Sequence, residues 1–293
     1  MMSKARALVC AAPVLLVLAV LLFAPLATMV FVSFVRRDPS GALQWGQFSA
    51  ASYLEIFYER DFLTGRYQPN ANYLNILNRS LIYGGATTAI TLAVGFPAAL
   101  WVAALPTRSK NVVLLLMTLP FWTNLLVRLY AIIYILRDGG PIDAALSYML
   151  PGFRGLDLLY SPVATVIGLC YSNVLYMIMP IFVSLERIDR DMVEASSDLG
   201  ANGWKTVIYV LLPLSAPGIV AGCILVFVPC LGSFIGPELL GGGKTMILGN
   251  LIEAQFGELR NWPLGAALST VLLALLLLTY AVQRVINAKG VTL

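Results

Sequence analysis

Ser161-Pro-Val-Ala-Thr-Val-Ile-Gly-Leu-Cys-Tyr-Ser-Asn-Val-Leu-Tyr-Met-Ile-Met-Pro-Ile-Phe-Val-Ser-Leu185 runs its whole length without a charged side chain. A helix rises about 1.5 Å per residue, so this stretch reaches across the ~30 Å of a bilayer's hydrocarbon. Inside lipid only helices and closed barrels pair all their backbone polar groups. A barrel strand would alternate apolar and polar residues with a period of two, and this stretch does not. It therefore reads as a transmembrane helix.

Five further segments read the same way, at about 8–35, 80–104, 111–136, 216–236 and 264–283. They predict an all-α integral membrane protein with six transmembrane helices. The composition agrees: 59% of the residues are hydrophobic and 12% charged, against roughly 25% charged in soluble domains. Mean hydropathy is +0.83. Lys4 and Arg6 precede the first apolar run, Leu8 to Val35, which is longer than the ~7–15 residues of a signal-peptide core. It is read as an uncleaved first span.

With the N-terminus in the cytoplasm, Lys4, Arg6, Arg108, Lys110, Arg187, Arg190, Lys205, Arg284 and Lys289 fall inside, on short segments. That density suits the positive-inside rule. Carboxylates gather outside, among them Glu55, Glu59, Asp61, Asp138, Asp143, Glu238 and Glu253. An outer face rich in carboxylates would suit a cationic solute. The segment Arg36–Asn78 is too long for a turn and is expected to be a partly ordered outer loop or amphipathic helix.

Several classes are excluded. The net charge of +4 is small and scattered, which argues against nucleic acid as a partner. There is no histidine, so the commonest general base and metal ligand is missing. The 4 cysteines lie in apolar stretches without metal or disulfide spacing. Gly241-Gly-Gly-Lys-Thr245 suggests a phosphate loop, but the full pattern places another Gly at position 238, which is Glu here. No carboxylate lies within a predicted span, so an intramembrane hydrolase lacks its catalytic pair. No catalytic residue, metal or bound cofactor is expected.

Between the fourth and fifth segments runs Glu186-Arg-Ile-Asp-Arg-Asp-Met-Val-Glu-Ala-Ser-Ser-Asp-Leu-Gly-Ala-Asn-Gly-Trp-Lys-Thr-Val-Ile-Tyr-Val-Leu-Leu-Pro213. Leu185, Ile188, Met192, Ala195 and Leu199 recur at helical steps. Asp191 is the expected N-cap, with Glu194 completing a capping box. Gly200 is expected to stop the helix in a left-handed conformation. A second short helix is expected from Trp204, ending before Pro213. The result would be a compact helix-turn-helix on the cytoplasmic face.

This segment resembles the loop of binding-protein-dependent ABC importer permeases, whose motif is Glu-Ala-Ala-x-x-x-Gly, a longer gap, then Ile-x-Leu-Pro. Here it reads Glu194-Ala195-Ser196, Gly200, Val210 and Leu212-Pro213, with Ser196 and Val210 as conservative departures. The resemblance implies that this loop, 186–213, docks on an ATPase subunit through Glu194, Ala195, Ser196, Asp198, Leu199, Gly200 and Pro213. The third segment, with Pro120-Phe-Trp-Thr-Asn124 and Arg128-Leu-Tyr130, is similar to spermidine/putrescine importer permeases. So is Cys230-Leu-Gly-Ser-Phe-Ile-Gly-Pro-Glu-Leu-Leu-Gly-Gly-Gly243, followed by Gly249-Asn250, Gln255-Phe256 and Asn261-Trp262-Pro263.

The resemblance implies a type I ABC importer permease fold. An N-terminal helix and outer loop (1–78) would precede a permease core (79–285), with a cytoplasmic tail (286–293). It implies a multi-pass protein of the bacterial inner membrane that moves polyamines by alternating access. Its partners would be two ATPase subunits carrying ATP and Mg, a homologous second permease and a periplasmic solute-binding protein. Glu238, Trp122, Asn124, Tyr130, Tyr171 and Asn173 are the candidate pathway residues, through carboxylate charge, amide oxygens and cation–π attraction. Arg128 is a charge well inside a predicted span. Two competing readings are a secondary transporter or channel for a small cation, and the same importer class with another solute. The first should carry intramembrane ionisable groups or broken inverted repeats, and no repeat is evident.

Overall fold

In lipid an apolar helix needs no partner on its outer face, so long helices with little internal packing are expected. The computed structural model describes residues 4–38, 43–60, 66–149 and 157–290. Its first helix, α1 (Lys4–Ser33), leaves every side chain from Val14 to Phe23 exposed, a surface that only an apolar surrounding tolerates. Two short antiparallel hairpins follow, β1 (Val35–Arg37) with β2 (Leu43–Phe48), and β3 (Tyr58–Arg60) with β4 (Tyr67–Pro69), around the short helix α2 (Ala51–Phe57). Then come α3 (Ala71–Ala104), α4 (Thr107–Thr118), α5 (Leu125–Leu136), α6 (Pro141–Met149) and α7 (Pro162–Glu186). After them are α8 (Arg190–Asp198), α9 (Gly203–Thr206), α10 (Leu212–Leu214), α11 (Ala216–Gly232), α12 (Ile235–Gly241), α13 (Leu248–Phe256) and α14 (Trp262–Gly290).

The chain divides into two compact units. One takes the described residues up to Asn75 together with Leu251–Ala274; the other takes Ile76–Asn250 and the described residues from Leu275. In the first unit the end of α1 is tied to α2: Ser33 Oγ and the Tyr53 hydroxyl lie 2.8 Å apart, and the Phe34 and Tyr53 rings are 5.1 Å apart. Asn70 is buried; its amide donates to the Glu55 carbonyl at 3.0 Å and its oxygen accepts from the Tyr73 N–H at 3.2 Å. That cap starts α3 at Ala71, earlier than the expected residue 80. The described part of Arg36–Asn78 is thus two hairpins and two helical pieces, where the sequence predicts a partly ordered loop or an amphipathic helix.

The second unit packs around α7. Ala99, Val102, Met177, Ile181, Val226 and Cys230 form its buried centre. α11 approaches α7 through glycine. A Cβ on Gly218 would sit 2.5 Å from the Pro180 carbonyl oxygen, and one on Gly222 would sit 2.8 Å from Met177 Sδ. Close backbone approach through small residues is how helices associate in lipid, where apolar surface gives no drive to pair. α12 seats against the same rod, with Leu240 filling the space that a Cβ on Gly168 would need.

Two expected spans are broken. The third segment, expected as one helix over 111–136, is α4, a 3₁₀ turn at Leu119–Trp122 and α5. Pro120 lies in that turn, and Asn124 restarts the chain by accepting from the Leu126 N–H at 2.8 Å. The fifth segment, expected over 216–236, ends at Gly232, and α12 begins after a break at Ser233 and Phe234. Among the described residues, four helices are long and apolar enough to cross a membrane. Two bent pairs raise that to six if each counts as one span: Thr107–Trp122 with Leu125–Met149, bent by 92°, and Gly203–Leu214 with Ala216–Gly232, bent by 69°.

If the α7–α11 contact depends on missing Cβ atoms, Gly218→Leu will lower the thermal midpoint of the purified chain in detergent, by the equivalent of about 1–3 kcal/mol or more. Gly85→Leu, where a Cβ meets nothing within 4 Å, is the control. Equal midpoints for the two variants would remove the close-packing account.

Candidate functional site

The polar loop after α7 is built by short-range hydrogen bonds. Asp189 Oδ1 accepts from the Asp191 N–H at 3.3 Å and caps α8. The cap is therefore Asp189, not Asp191, and the expected capping box with Glu194 does not form. Leu185 and Ile188 consequently belong to the end of α7 and the turn after it, not to one continuous stripe. Gly200 has φ +80°. Its N–H donates to the Ser197 carbonyl at 2.9 Å, and the Ala201 N–H donates to the Ser196 carbonyl at 3.0 Å. These two bonds are a Schellman motif, which closes the orphan carbonyls of a helix end and favours glycine at the left-handed position.

Asn202 then accepts from the Lys205 N–H at 2.9 Å and starts α9. The helical path does not stop before Pro213. It widens into a π turn at Val207–Leu211, where the Leu212 N–H reaches the Val207 carbonyl, and continues through α10 to Leu214. Proline has no N–H to donate, and Pro213 sits at the start of α10, just past the wide turn, where that N–H is not needed. α8 and α9 are held together by Ser196 Oγ and Thr206 Oγ1 at 2.9 Å, both residues buried. Glu194, Ala195, Asp198, Leu199, Gly200 and Pro213 are exposed, and so are Met192, Trp204 and Tyr209. Leu199 is 89% exposed and Trp204 72%. The loop is thus internally braced while presenting large apolar side chains outward, beside a run of acidic residues. Lys110 and Glu186, 3.0 Å apart, tie the start of α4 to the end of α7 just before it.

The break in the third segment holds the second cluster. Trp122 is 78% exposed and Tyr130 58%. Asn124 is exposed, but its side-chain oxygen serves as the cap of α5. The Phe121 and Tyr176 rings meet edge to face at 6.4 Å, and the Arg128 guanidinium lies over Phe121 at 4.8 Å. On α7, Tyr171 is 41% exposed. Asn173 is buried, and its amide donates to the Leu169 carbonyl at 2.8 Å and to Cys230 Sγ at 3.6 Å. Glu238 is exposed on the first turn of α12. The break before it is repaired by Asn250, whose amide donates to the Phe234 carbonyl at 2.9 Å. The glycine loop at 241–243 has left-handed Gly242 and Gly243 and is closed by Thr245, 3.3 Å from Thr165. On the outer segment, burial pushes the Glu55 carboxyl up from its ordinary range, with Arg37 opposing and Glu59 adding to the shift.

The sequence profile of the binding-protein-dependent transport system inner membrane component matches residues 95–289. The chain belongs to this family. Among curated relatives, the spermidine/putrescine transport system permease protein PotB of Escherichia coli (strain K12) is 34% identical over 276 residues, 93% of this chain and 96% of the relative. PotB of Haemophilus influenzae is 35% identical over 269 residues, 90% of each. Among solved structures, a chain of a bacterial alginate ABC transporter in complex with alginate pentasaccharide-bound periplasmic protein has the same fold. Its TM-score is 0.70 at 16% identity, covering 97% of this chain and 96% of that one. The expected type I permease architecture therefore stands, in a multi-pass membrane protein that is a permease subunit and not an enzyme.

Gly200→Ala forces a Cβ into the left-handed region at a cost of about 1–2 kcal/mol and will speed amide exchange across 190–206. Gly203→Ala, where φ is ordinary and a Cβ meets nothing, will leave exchange unchanged. Identical exchange in the two variants would mean that the Gly200 turn does not hold the loop.

Proposed function

We propose that this chain is the permease half of an ATP-driven polyamine importer in a bacterial inner membrane. It pairs there with a homologous second permease, two ATPase subunits and a periplasmic solute-binding protein. The observation that carries the substrate class is the identity of 34–35% along nearly the whole chain to spermidine/putrescine permeases. The coupling is supported by the loop geometry. A short helix capped at both ends and cross-braced by Ser196 and Thr206 is stiff enough to pass on a push. Its exposed Met192, Leu199 and Trp204 suit helix-in-groove packing against an ATPase. Glu194, Ala195, Ser196, Asp198, Leu199, Gly200 and Pro213 make up this docking element, and ATP and Mg are held by the ATPase subunits.

For the solute path, Glu238, Trp122, Tyr130 and Tyr171 offer one carboxylate and three exposed aromatic faces to an organic cation. Asn124 and Asn173 belong to the same elements, one exposed and holding the start of α5, the other buried and fixing α7 to Cys230. ATP binding closes the ATPase pair, the loop transmits that closure, and the cavity opens outward; hydrolysis resets it. A ligand shifts such an equilibrium only by its differential affinity, so the solute-binding protein prefers the outward state.

The test is ATP-dependent uptake of labelled spermidine and putrescine into vesicles holding the full complex. Leu199→Asp will strip the ATPase from the complex and abolish uptake. Glu238→Gln will lower polyamine uptake several-fold, about fivefold at most for the ~0.2–1 kcal/mol of an exposed ion pair, with ATPase coupling kept. If the wild type moves another solute and neither amine, the polyamine reading falls. Uptake that persists without ATPase subunits would sink the importer mechanism.

A further inference from the structure

We propose that Arg128 is an anchor of the permease–permease interface, ion-paired near mid-membrane with a carboxylate from a span of the partner permease. This rests on the assembly reading above, in which a homologous second permease faces this chain.

The depth of Arg128 follows from a ladder of contacts within one unit. The Lys110–Glu186 pair joins the start of α4 to the end of α7, where the apolar run gives way to the polar loop. From that level, at about 1.5 Å per residue, Phe121 lies ~16 Å along the α4 path and Tyr176 ~15 Å along α7. The two independent paths agree, because the Phe121 and Tyr176 rings are in edge contact. Arg128 reaches back from the first turn of α5 onto Phe121. Its guanidinium thus sits close to half-way across ~30 Å of hydrocarbon.

At that depth the group is under-satisfied. Nε and Nη1 are buried and have no hydrogen-bond partner among the described residues. The Phe121 face offers a cation–π contact but no acceptor. Arginine stays protonated in proteins, so it cannot relieve the cost by losing its charge. The side chain as a whole remains part-exposed; with Nε and Nη1 closed off within this chain, an acceptor from outside meets the guanidinium at Nη2 and pairs its charge there.

Elimination identifies that acceptor. A lipid phosphate lies ~15 Å away at either surface. The ATPase and the solute-binding protein stay outside the hydrocarbon. A polyamine is cationic and is repelled. A carbonyl, hydroxyl or water would bond the guanidinium but leave its charge unpaired, so the fitting partner is a protein carboxylate at the same depth, in a neighbouring span. Intramembrane charges are found paired with one another for this reason, and an Arg fork with a carboxylate is the strongest such pair. The exposed Leu126 and Val127 beside it offer apolar surface that a facing helix would cover. Arg128 would then do two things: fix the register of the two permeases at the broken helix, and hold one carboxylate away from the solute.

The experiment uses the full importer, with the second permease tagged and this chain read by co-purification. Arg128→Glu is expected to cut co-purification at least ~tenfold, since it sets two like charges together in the membrane. One carboxylate-to-Lys or carboxylate-to-Arg substitution in a span of the second permease should restore it to within about twofold. Arg128→Met should weaken assembly less than Arg128→Glu, and the thermal midpoint of this chain purified alone should stay unchanged in both. Several results would overturn the pairing. These are full assembly and uptake in Arg128→Glu, a lowered midpoint of the isolated chain, loss of assembly that no partner charge reversal restores, or intact assembly with altered solute affinity, which would put Arg128 on the solute path. A wild-type complex that contains no second, non-identical permease would overturn both this and the assembly reading. That result comes from the wild type alone, so the two failures are told apart.

Discussion

Hydrocarbon offers a peptide backbone nothing to hydrogen-bond to, and this constraint orders the whole chain. Regular helix satisfies it without help; every departure needs a local repair. Such repairs are visible at four places. Asn124 accepts from the start of α5, and Ser161 Oγ accepts from the Ala164 N–H at 3.2 Å as α7 begins. Asn250 donates to the Phe234 carbonyl before α12, and Ser80 Oγ accepts from the Leu248 N–H at 2.7 Å as α13 begins. Each is a polar side chain that a membrane helix would otherwise have no reason to carry. The candidate functional residues Trp122, Asn124 and Glu238 all lie at or beside such breaks.

Hydropathy made the six apolar segments legible, and the spacing around Glu194 and Gly200 made the helix-turn-helix at 186–213 legible. Both signals are scalar or local. Hydropathy has no direction, so the bend between α4 and α5 was invisible in it, although Pro120 and Asn124 mark the place once a turn is looked for. The choice between Asp189 and Asp191 as cap turned on which of two neighbouring carboxylates first leaves helical geometry, and composition does not decide that. The outer hairpins were missed because their strands are three to six residues long, too short to set up a clear alternation. The start of α3 was missed because Asn70 acts through a contact with the Glu55 carbonyl, distant along the chain.

Within the loop, the departure from the family motif at position 196 has a structural role. Ser196 bonds Thr206 across the turn, so the residue that weakened the sequence match strengthens the element. Thr206 carried no signal of its own. The exposed Leu199 and Trp204 were also unreadable, because an apolar residue beside a turn is as compatible with burial as with exposure. Only the packing shows that this chain leaves them uncovered.

α7 connects these features mechanically. It carries the Lys110–Glu186 pair at the loop end, Tyr176 against Phe121 at the break, close packing with α11 at Pro180 and Met177, and the Leu240 seat at Gly168. Interiors packed this closely move as units and do not deform gradually. A displacement of the end of α7 would therefore reach the α4–α5 break and the Glu238 helix together, through a single rod. The same rod explains why the breaks need such firm repair. A hinge that was also loose would absorb the motion, whereas a capped break turns one helix against the next and passes the motion on.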